Sequence, residues 1–510
     1  MLSFHIKRPE IQRKFNDIEE LRQPQIYFKS GLMNFDRGKL SNSRTEFLKS
    51  LNLLLCLPKT YPNELITLYN NLAVLEYLQE NFEKSKVYYK EAEARVAGLS
   101  ELTDQHFNFL YLNLGLLHDS LGKYQEAMAY FELGLKASDP SNERNLSSIG
   151  MLKESMAITL NKECFIKEAL KIQEEAMEIK GNIFGLNSDE YADSLNNYSL
   201  ILYNNGDFEQ AIKHLEAALN IKMNLARHEK RDLEIIYNNL GCIYYEKGNY
   251  RNSQENFEKM KEIIGEIPNG NLLHAHYFNN VGFRIMNSGK YIEGNEKMET
   301  ALQIYKNKFG EEHPGVAKIY NNLSIGLTNR NYYKEANLML EKALKIFTKT
   351  FPKRNLEIAK VYHNFGFIND RFSKHDEAFK NYFKALEIYK EIFGSKHPHL
   401  AIIFNNLGCS YSEKGKYIDA LRYYKRSLDI KFDSIGARDI DIARTCRNFG
   451  RAFKEKRVYN EATKFFKRSF IIDCKTYGPS HPDVSYARNC IEYLEMEEAQ
   501  HQSFFYELKY

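Results

Sequence analysis

No run of apolar residues in this chain is long enough to cross a membrane. Its first residues, MLSFHIKRPEIQRKF, are basic and lack the apolar stretch of a secretory leader. Cysteine is sparse and scattered. Cys56, Cys164, Cys242, Cys409, Cys446, Cys474 and Cys490 include no CxxC pair, which suits neither a disulfide framework nor a zinc site. A reducing, cytoplasmic setting is therefore expected, and the N-x-[ST] matches at Asn145, Asn197 and Asn322 read as chance rather than glycosylation. Charge of one sign is lacking too. A net charge of +4 over 510 residues is too near balance for the whole molecule to bind nucleic acid on electrostatic grounds. There is no P-loop, dinucleotide glycine fingerprint, nucleophile elbow or metal-spaced His/Glu pair. No catalytic residue, cofactor or metal ligand is assigned, and an enzyme is not expected.

What the chain has is a period. Anchored on the second residue of a recurrent Asn-Asn pair, the same position falls at Lys29, Asn71, Asn113, Ser155, Asn197, Asn239, Asn280, Asn322, Asn364, Asn406, Asn448 and Asn489. The steps are 42 residues, with two of 41. Two residues after the anchor stands a small residue, as at Gly115, Gly241 and Gly408, and fourteen after it another, as at Ala127, Ser253 and Ala420. Between them comes a turn residue, often glycine (Gly122, Gly206, Gly248, Gly289, Gly415), then an aromatic such as Tyr124 or Tyr417. Apolar residues at i, i+3, i+4 and i+7 mark a helix on each side of the turn. Small residues let the two helices approach closely, and one such pair buries its apolar face only by stacking on the next. The expected fold is all-α: a solenoid of about eleven helix-turn-helix units over residues 24–480. A capping helix over 481–510 and a short segment 1–23 before the first unit complete it. The aromatic tail Phe504-Phe505-Tyr506 is expected to fold back on the solenoid, with dimerisation as the alternative.

The order L-G-x-x-Y-x-x-x-G-x-Y-x-x-A at Leu407 to Ala420 resembles the tetratricopeptide repeat. With HPGVAKIYNNLS at His313 and HPHLAIIFNNLG at His397, the 42-residue unit is similar to the kinesin-light-chain and nephrocystin type. That resemblance implies a right-handed superhelical solenoid and a cytoplasmic interaction scaffold, with cytoskeletal or ciliary association and cargo adaptation as further implications. Kinesin light chain places a heptad coiled coil before its repeats, whereas some 23 residues precede the first repeat here. A scaffold using the same repeat is therefore expected in preference to a motor subunit.

The Asn pairs carry the functional expectation. On the first helix of each unit, positions such as Ile402, Asn405, Asn406, Cys409 and Glu413 share one face, which lines the concave surface of such solenoids. Primary amides offer both donors and acceptors, the complement of a peptide unit. The expected peptide-binding ladder is Asn71, Asn113, Asn196, Asn197, Asn238, Asn239, Asn279, Asn280, Asn321, Asn322, Asn364, Asn405, Asn406 and Asn448. The other reading is that these amides cap or bridge backbone groups between neighbouring repeats, and both readings can hold together. The His-Pro pairs at His313, His397 and His481 stand 84 residues apart and are read as helix starts, not as metal ligands.

Residues 422–475 hold 15 Lys/Arg against 7 Asp/Glu. Lys318, Lys360, Arg444, Arg447 and Arg451 fall on the ladder face, with Arg488 on the cap, so acidic or phosphorylated partner segments are expected there. Towards the N-terminus Phe109, Leu112, Leu116, Met151 and Ile158 suggest an apolar groove, open to a hydrophobic motif or to segment 1–23 itself. RNA binding is a weaker alternative, because the positive charge is confined to about one and a half repeats.

Overall fold

Where the residue between the two helices of a unit is described, it is held at positive φ, which turns the chain back as a hairpin. In the computed structural model that residue is Gly122, Gly206, Gly289 or Gly415, at φ 71 to 89°. The same column continues through Asn331 (φ 64°), Ser373 (φ 58°) and Arg457 (φ 59°), where a side chain is tolerated at some strain. The structure describes residues 19–507 except 38, 80, 97–104, 140, 164, 226–229, 248, 266–271, 288, 352, 354, 396, 434–438 and 480. Expectations for residues 1–18 lie outside the described residues.

Among the described residues there are 23 α-helices and no strand. The first hairpins are α1 (Arg22–Asp36) with α2 (Leu40–Leu55), α3 (Pro62–Leu78) with α4 (Phe82–Val96), α5 (Gln105–Ser120) with α6 (Tyr124–Ala137), and α7 (Glu143–Lys162) with α8 (Ile166–Phe184). Then come α9 (Asp189–Asn204) with α10 (Phe208–Asn224), α11 (Lys230–Glu246) with α12 (Tyr250–Gly265), α13 (Leu272–Asn287) with α14 (Tyr291–Phe309), and α15 (Pro314–Asn329) with α16 (Tyr333–Thr350). The last are α17 (Leu356–Arg371) with α18 (His375–Phe393), α19 (Pro398–Glu413) with α20 (Tyr417–Asp433), and α21 (Asp439–Glu455) with α22 (Tyr459–Tyr477), followed by the single helix α23 (Pro482–Glu507). The chain divides into two compact units, residues 5–160 with 168–197, and residues 161–167 with 198–510. No described helix is long and apolar enough to cross a membrane.

Inside a hairpin, the glycine two residues after the anchor lies under an aromatic ring sixteen residues further on. A Cβ at Gly408 would stand 2.6 Å from the Tyr424 ring, and one at Gly366 2.5 Å from Tyr382. Only glycine admits that approach without moving the ring. Serines on the second helix tie the pair further, Ser43 Oγ donating to Gly31 O (2.8 Å) and Ser253 Oγ to Gly241 O (2.7 Å).

Three helices at alternate repeats open on a start signal visible in the sequence. His313, His397 and His481 each use Nδ1 to accept a backbone N–H two residues on, at 3.0, 3.2 and 3.2 Å. Their rings stack on Phe309, Phe393 and Tyr477 at 4.2, 3.9 and 4.1 Å. In the first unit the stacking interface also holds a buried ion pair, Lys180 Nζ to Glu154 Oε2 at 2.7 Å, with Lys180 also donating to Ser194 Oγ at 2.8 Å.

Helix α23 corrects the expected register of the cap. Its buried residues Val484, Ala487 and Leu494 stand 42 residues after the buried Ile442, Thr445 and Ala452. The last step is therefore 42 residues, and Cys490 rather than Asn489 continues the anchor column. Arg488, Glu492 and Glu495 are exposed on its other side, as a terminal helix requires.

Candidate functional site: the amide ladder and its cations

A primary amide has two N–H donors and one oxygen that accepts twice, so one amide can join a chain and retain capacity. In this protein the amides join one another across repeats. Asn113 Nδ2 donates to Asn70 Oδ1 at 3.0 Å in the first unit. In the second, Asn280 donates to Asn238 (3.1 Å), Asn322 to Asn279 (3.0 Å), Asn364 to Asn321 (2.8 Å) and Asn448 to Asn405 (3.2 Å). Within pairs, Asn238 donates to Asn239 (3.3 Å), Asn279 to Asn280 (3.1 Å) and Asn405 to Asn406 (3.4 Å), as Asn196 does to Asn197 (3.3 Å). The direction is constant between repeats: the later repeat donates to the earlier one.

One rung is not an amide pair. Where the preceding repeats carry asparagine, His363 stands, and Asn406 Nδ2 lies 2.8 Å from its Nε2. Since the amide nitrogen can only donate, Nε2 accepts and the imidazole proton sits on Nδ1. Burial pushes the His363 pKa down to about 4, which keeps the ring neutral and the rung intact near pH 7.

Exposure divides the ladder. Asn71, Asn113, Asn196, Asn197, Asn238, Asn239, Asn280, Asn322 and Asn405 are buried. Asn279, Asn321, Asn364, Asn406 and Asn448 are half-buried and reach solvent. The sequence pattern pointed to amides along one face. It gave no sign that the amides would bond to each other across repeats, because each of those bonds joins residues 42 or 43 apart in the chain.

The cations behave individually. Lys318 and Arg451 are exposed and make no hydrogen bond or ion pair among the described residues. Lys360 is held by Glu357 at 2.9 Å and Arg444 by Asp441 at 2.9 Å. Arg447 is 12% exposed and joins the fully buried Asp473 to Asp483, the latter at 2.9 Å. Its partners lie 26 and 36 residues away, out of reach of a local reading. Arg488 lies over the Phe470 ring at 5.7 Å, on the flank of α23 that meets α22. The cap adds Tyr486, within reach of the Arg451 charge, and Tyr493, under Lys454 at 4.4 Å; they are 43% and 46% exposed, and the sequence reading did not single them out.

The apolar residues nearer the N-terminus do not form an open groove. Leu112, Leu116 and Met151 belong to a core cluster with Phe131, Leu152 and Met156, and Phe109 packs against it half-buried. Ile158 is buried as well. Their apolar character is explained by packing between neighbouring repeats.

Family models described as tetratricopeptide repeat match the chain. One covers residues 148–224, 196–264, 273–349 and 357–431, together more than half of the chain; others cover 110–139 and 442–483. Among solved structures, BtubC (BKLC) from P. vanneervenii is 21% identical, covering 49% of this chain and 93% of its own, with a TM-score of 0.37. A putative kinesin light chain with nearly identical TPR-like repeats from Podosopora anserina is 18% identical, covering 39% and 95%, with a TM-score of 0.33. A Rap protein complexed with competence and sporulation factor is 12% identical, covering 69% and 99%, with a TM-score of 0.44. No curated protein matches the sequence.

Proposed function

Because the chain belongs to the tetratricopeptide-repeat family, whose members are non-catalytic protein-interaction scaffolds, we propose that its ladder face holds an extended segment of a protein partner. The observation that carries this reading is the exposure of the later amides. Asn321, Asn364, Asn406 and Asn448 each use part of their hydrogen-bonding capacity on a neighbouring repeat and turn the rest to solvent. A peptide backbone laid along them meets an alternation of donors and acceptors that does not depend on its side chains. Each bond contributes about 0.5–1.5 kcal/mol, and ordering the segment costs about 2–5 kcal/mol, so several rungs must engage together.

The exposed cations give the face a preference. Lys318 and Arg451 make no ion pair among the described residues and act on Glu357 and Glu413 only through space, and Arg444 holds Asp441 through an exposed contact that solvent weakens. An acidic or phosphorylated stretch in the partner neutralises them. Arg447 serves differently: its charge is committed to Asp473 and Asp483, so it positions the last repeat against α23.

The test is affinity purification from the source cells with wild type and with Lys318→Glu/Arg451→Glu, followed by titration of peptides from the recovered proteins. The reading predicts loss of the acidic partners while the variant still melts cooperatively, since neither side chain makes a hydrogen bond or ion pair among the described residues and each acts on Glu357 or Glu413 only through space. Recovery of the same proteins with both charges reversed would overturn it.

A further inference from the structure

Away from the ladder, the exposed side of the second helices changes sign at one repeat position. Nineteen residues after the anchor stand Glu132, Glu174, Glu216, Glu258, Glu299 and Glu341 in six successive repeats. The same position then becomes Phe383, Lys425 and Lys467. All of these residues are exposed. A merely solvated face needs no such reversal, and here it is reinforced by neighbouring positions.

On α12 and α14 the position three residues earlier is also acidic, giving Glu255 with Glu258 and Glu296 with Glu299. On α20 and α22 the same position and the following one are basic, giving Arg422, Lys425 and Arg426, then Lys464, Lys467 and Arg468. Local pairing leaves much of this charge uncompensated. Arg422 meets Asp419 (3.3 Å), Lys464 meets Glu461 (2.6 Å) and Lys467 meets Glu495 (2.8 Å), while Lys425 makes no ion pair among the described residues. Arg426 and Arg468 are steadied over Phe404 and Phe432 at 4.7 and 4.2 Å with their charge still outward. In the acidic patch Arg251 meets Glu255 at 3.1 Å, and Glu299 has no basic partner among the described residues.

Both patches are built on equivalent positions of consecutive hairpins, so Glu255, Glu258, Glu296 and Glu299 have the spacing of Arg422, Lys425, Lys464 and Lys467 with opposite sign, while the following position, Lys259 and Thr300 against Arg426 and Arg468, is not mirrored. We propose that the partner of the basic patch on α20 and α22 is the acidic patch on α12 and α14 of a second copy of this chain. The two patches are different surfaces, so the contact is head-to-tail and leaves one patch of each kind free for further copies. Exposed ion pairs contribute about 0.2–1 kcal/mol each, and salt screens them, so the association is weak and ionic-strength dependent.

Sedimentation velocity of the full chain tests this at about 20 mM and about 300 mM salt, conditions of weak and strong screening. Wild type is expected to gain mass with concentration at low salt and to run as a single chain at high salt. Lys425→Glu/Lys464→Glu and Glu258→Lys/Glu299→Lys are each expected to run as single chains at low salt while melting as wild type does. Their equimolar mixture is expected to form pairs and nothing larger, because one intact patch of each kind remains. Wild type that stays a single chain at low salt overturns the proposal, as does a mixture that fails to pair. If wild type binds added poly-glutamate yet does not self-associate, the basic patch belongs to an acidic partner instead and the proposal also falls.

Discussion

Replacing Arg447 by methionine removes the guanidinium bonded to Asp473, a carboxylate with no exposed surface. Burial already raises the Asp473 pKa, with Arg447 acting against that rise. Without the guanidinium the group must either remain charged in a dry site or take up a proton and lose its bond. Breaking one side of a buried pair in this way costs about 3–5 kcal/mol. Removing both partners costs far less, so Arg447→Met/Asp473→Leu is expected within about 1 kcal/mol of wild type or above it. The loss in the single variant is expected to concentrate at the C-terminal end, because stability in a repeat array is carried by nearest-neighbour interfaces. Urea unfolding of the full double-mutant cycle gives the energies, and hydrogen exchange over residues 473–494 shows where they fall. A single variant that loses less than about 1 kcal/mol, or a cycle in which the two substitutions simply add, would refute the reasoning.

Three further expectations follow from single positions. Glu234 occupies a site that is alanine at 192, 275, 317, 359, 401 and 443, and burial pushes its pKa up to about 8. A carboxyl raised above its unfolded value of 4.5 costs stability progressively as pH rises from 4.5 to 8, so Glu234→Ala should melt higher than wild type at pH 8 and equally at pH 4.5. His363 and His397 are both lowered by burial to about 4, so their contribution is full above pH 6.5 and is lost as pH falls from 6.5 to 4. His363→Asn should flatten that decline in acid melting curves by up to about 3 kcal/mol, the worth of its shift, and an unchanged curve would clear His363 of the role. Ser373→Gly relieves a positive φ of 58° in a column where glycine stands at 122, 206, 289 and 415, and a gain of about 1 kcal/mol in urea unfolding is expected.

Much of the fold was legible because a 42-residue period repeats the same helix-turn-helix pattern about eleven times. The turn column, the small residues at 408 and 420, and the His-Pro starts each announce themselves by recurrence. What recurrence hides is the second partner of each contact. Gly408 was visible as small, but the Tyr424 ring above it follows only from the angle between the helices. The amides were visible as a column, yet a bond such as Asn364 to Asn321 closes between repeats and leaves no local trace. Leu112 and Met151 were assigned to an open face because the period places them there, whereas stacking of neighbouring hairpins covers them. The slip of one residue at the cap had a remedy in the sequence: His481 stands 84 residues after His397, as His397 does after His313.

The central claim is that one column of amides both wires the repeats and, where it reaches solvent, holds the partner. The direct measurement is partner recovery alongside urea stability for two variants. In the first, Asn321, Asn364 and Asn406 are changed to alanine; in the second, the buried Asn71, Asn113 and Asn197 are. Both are expected to lose about 0.5–1.5 kcal/mol per residue. Only the first is expected to lose its partners while still folded. Partners that survive in the first variant, or that vanish equally from both, would show that the amides serve the solenoid alone.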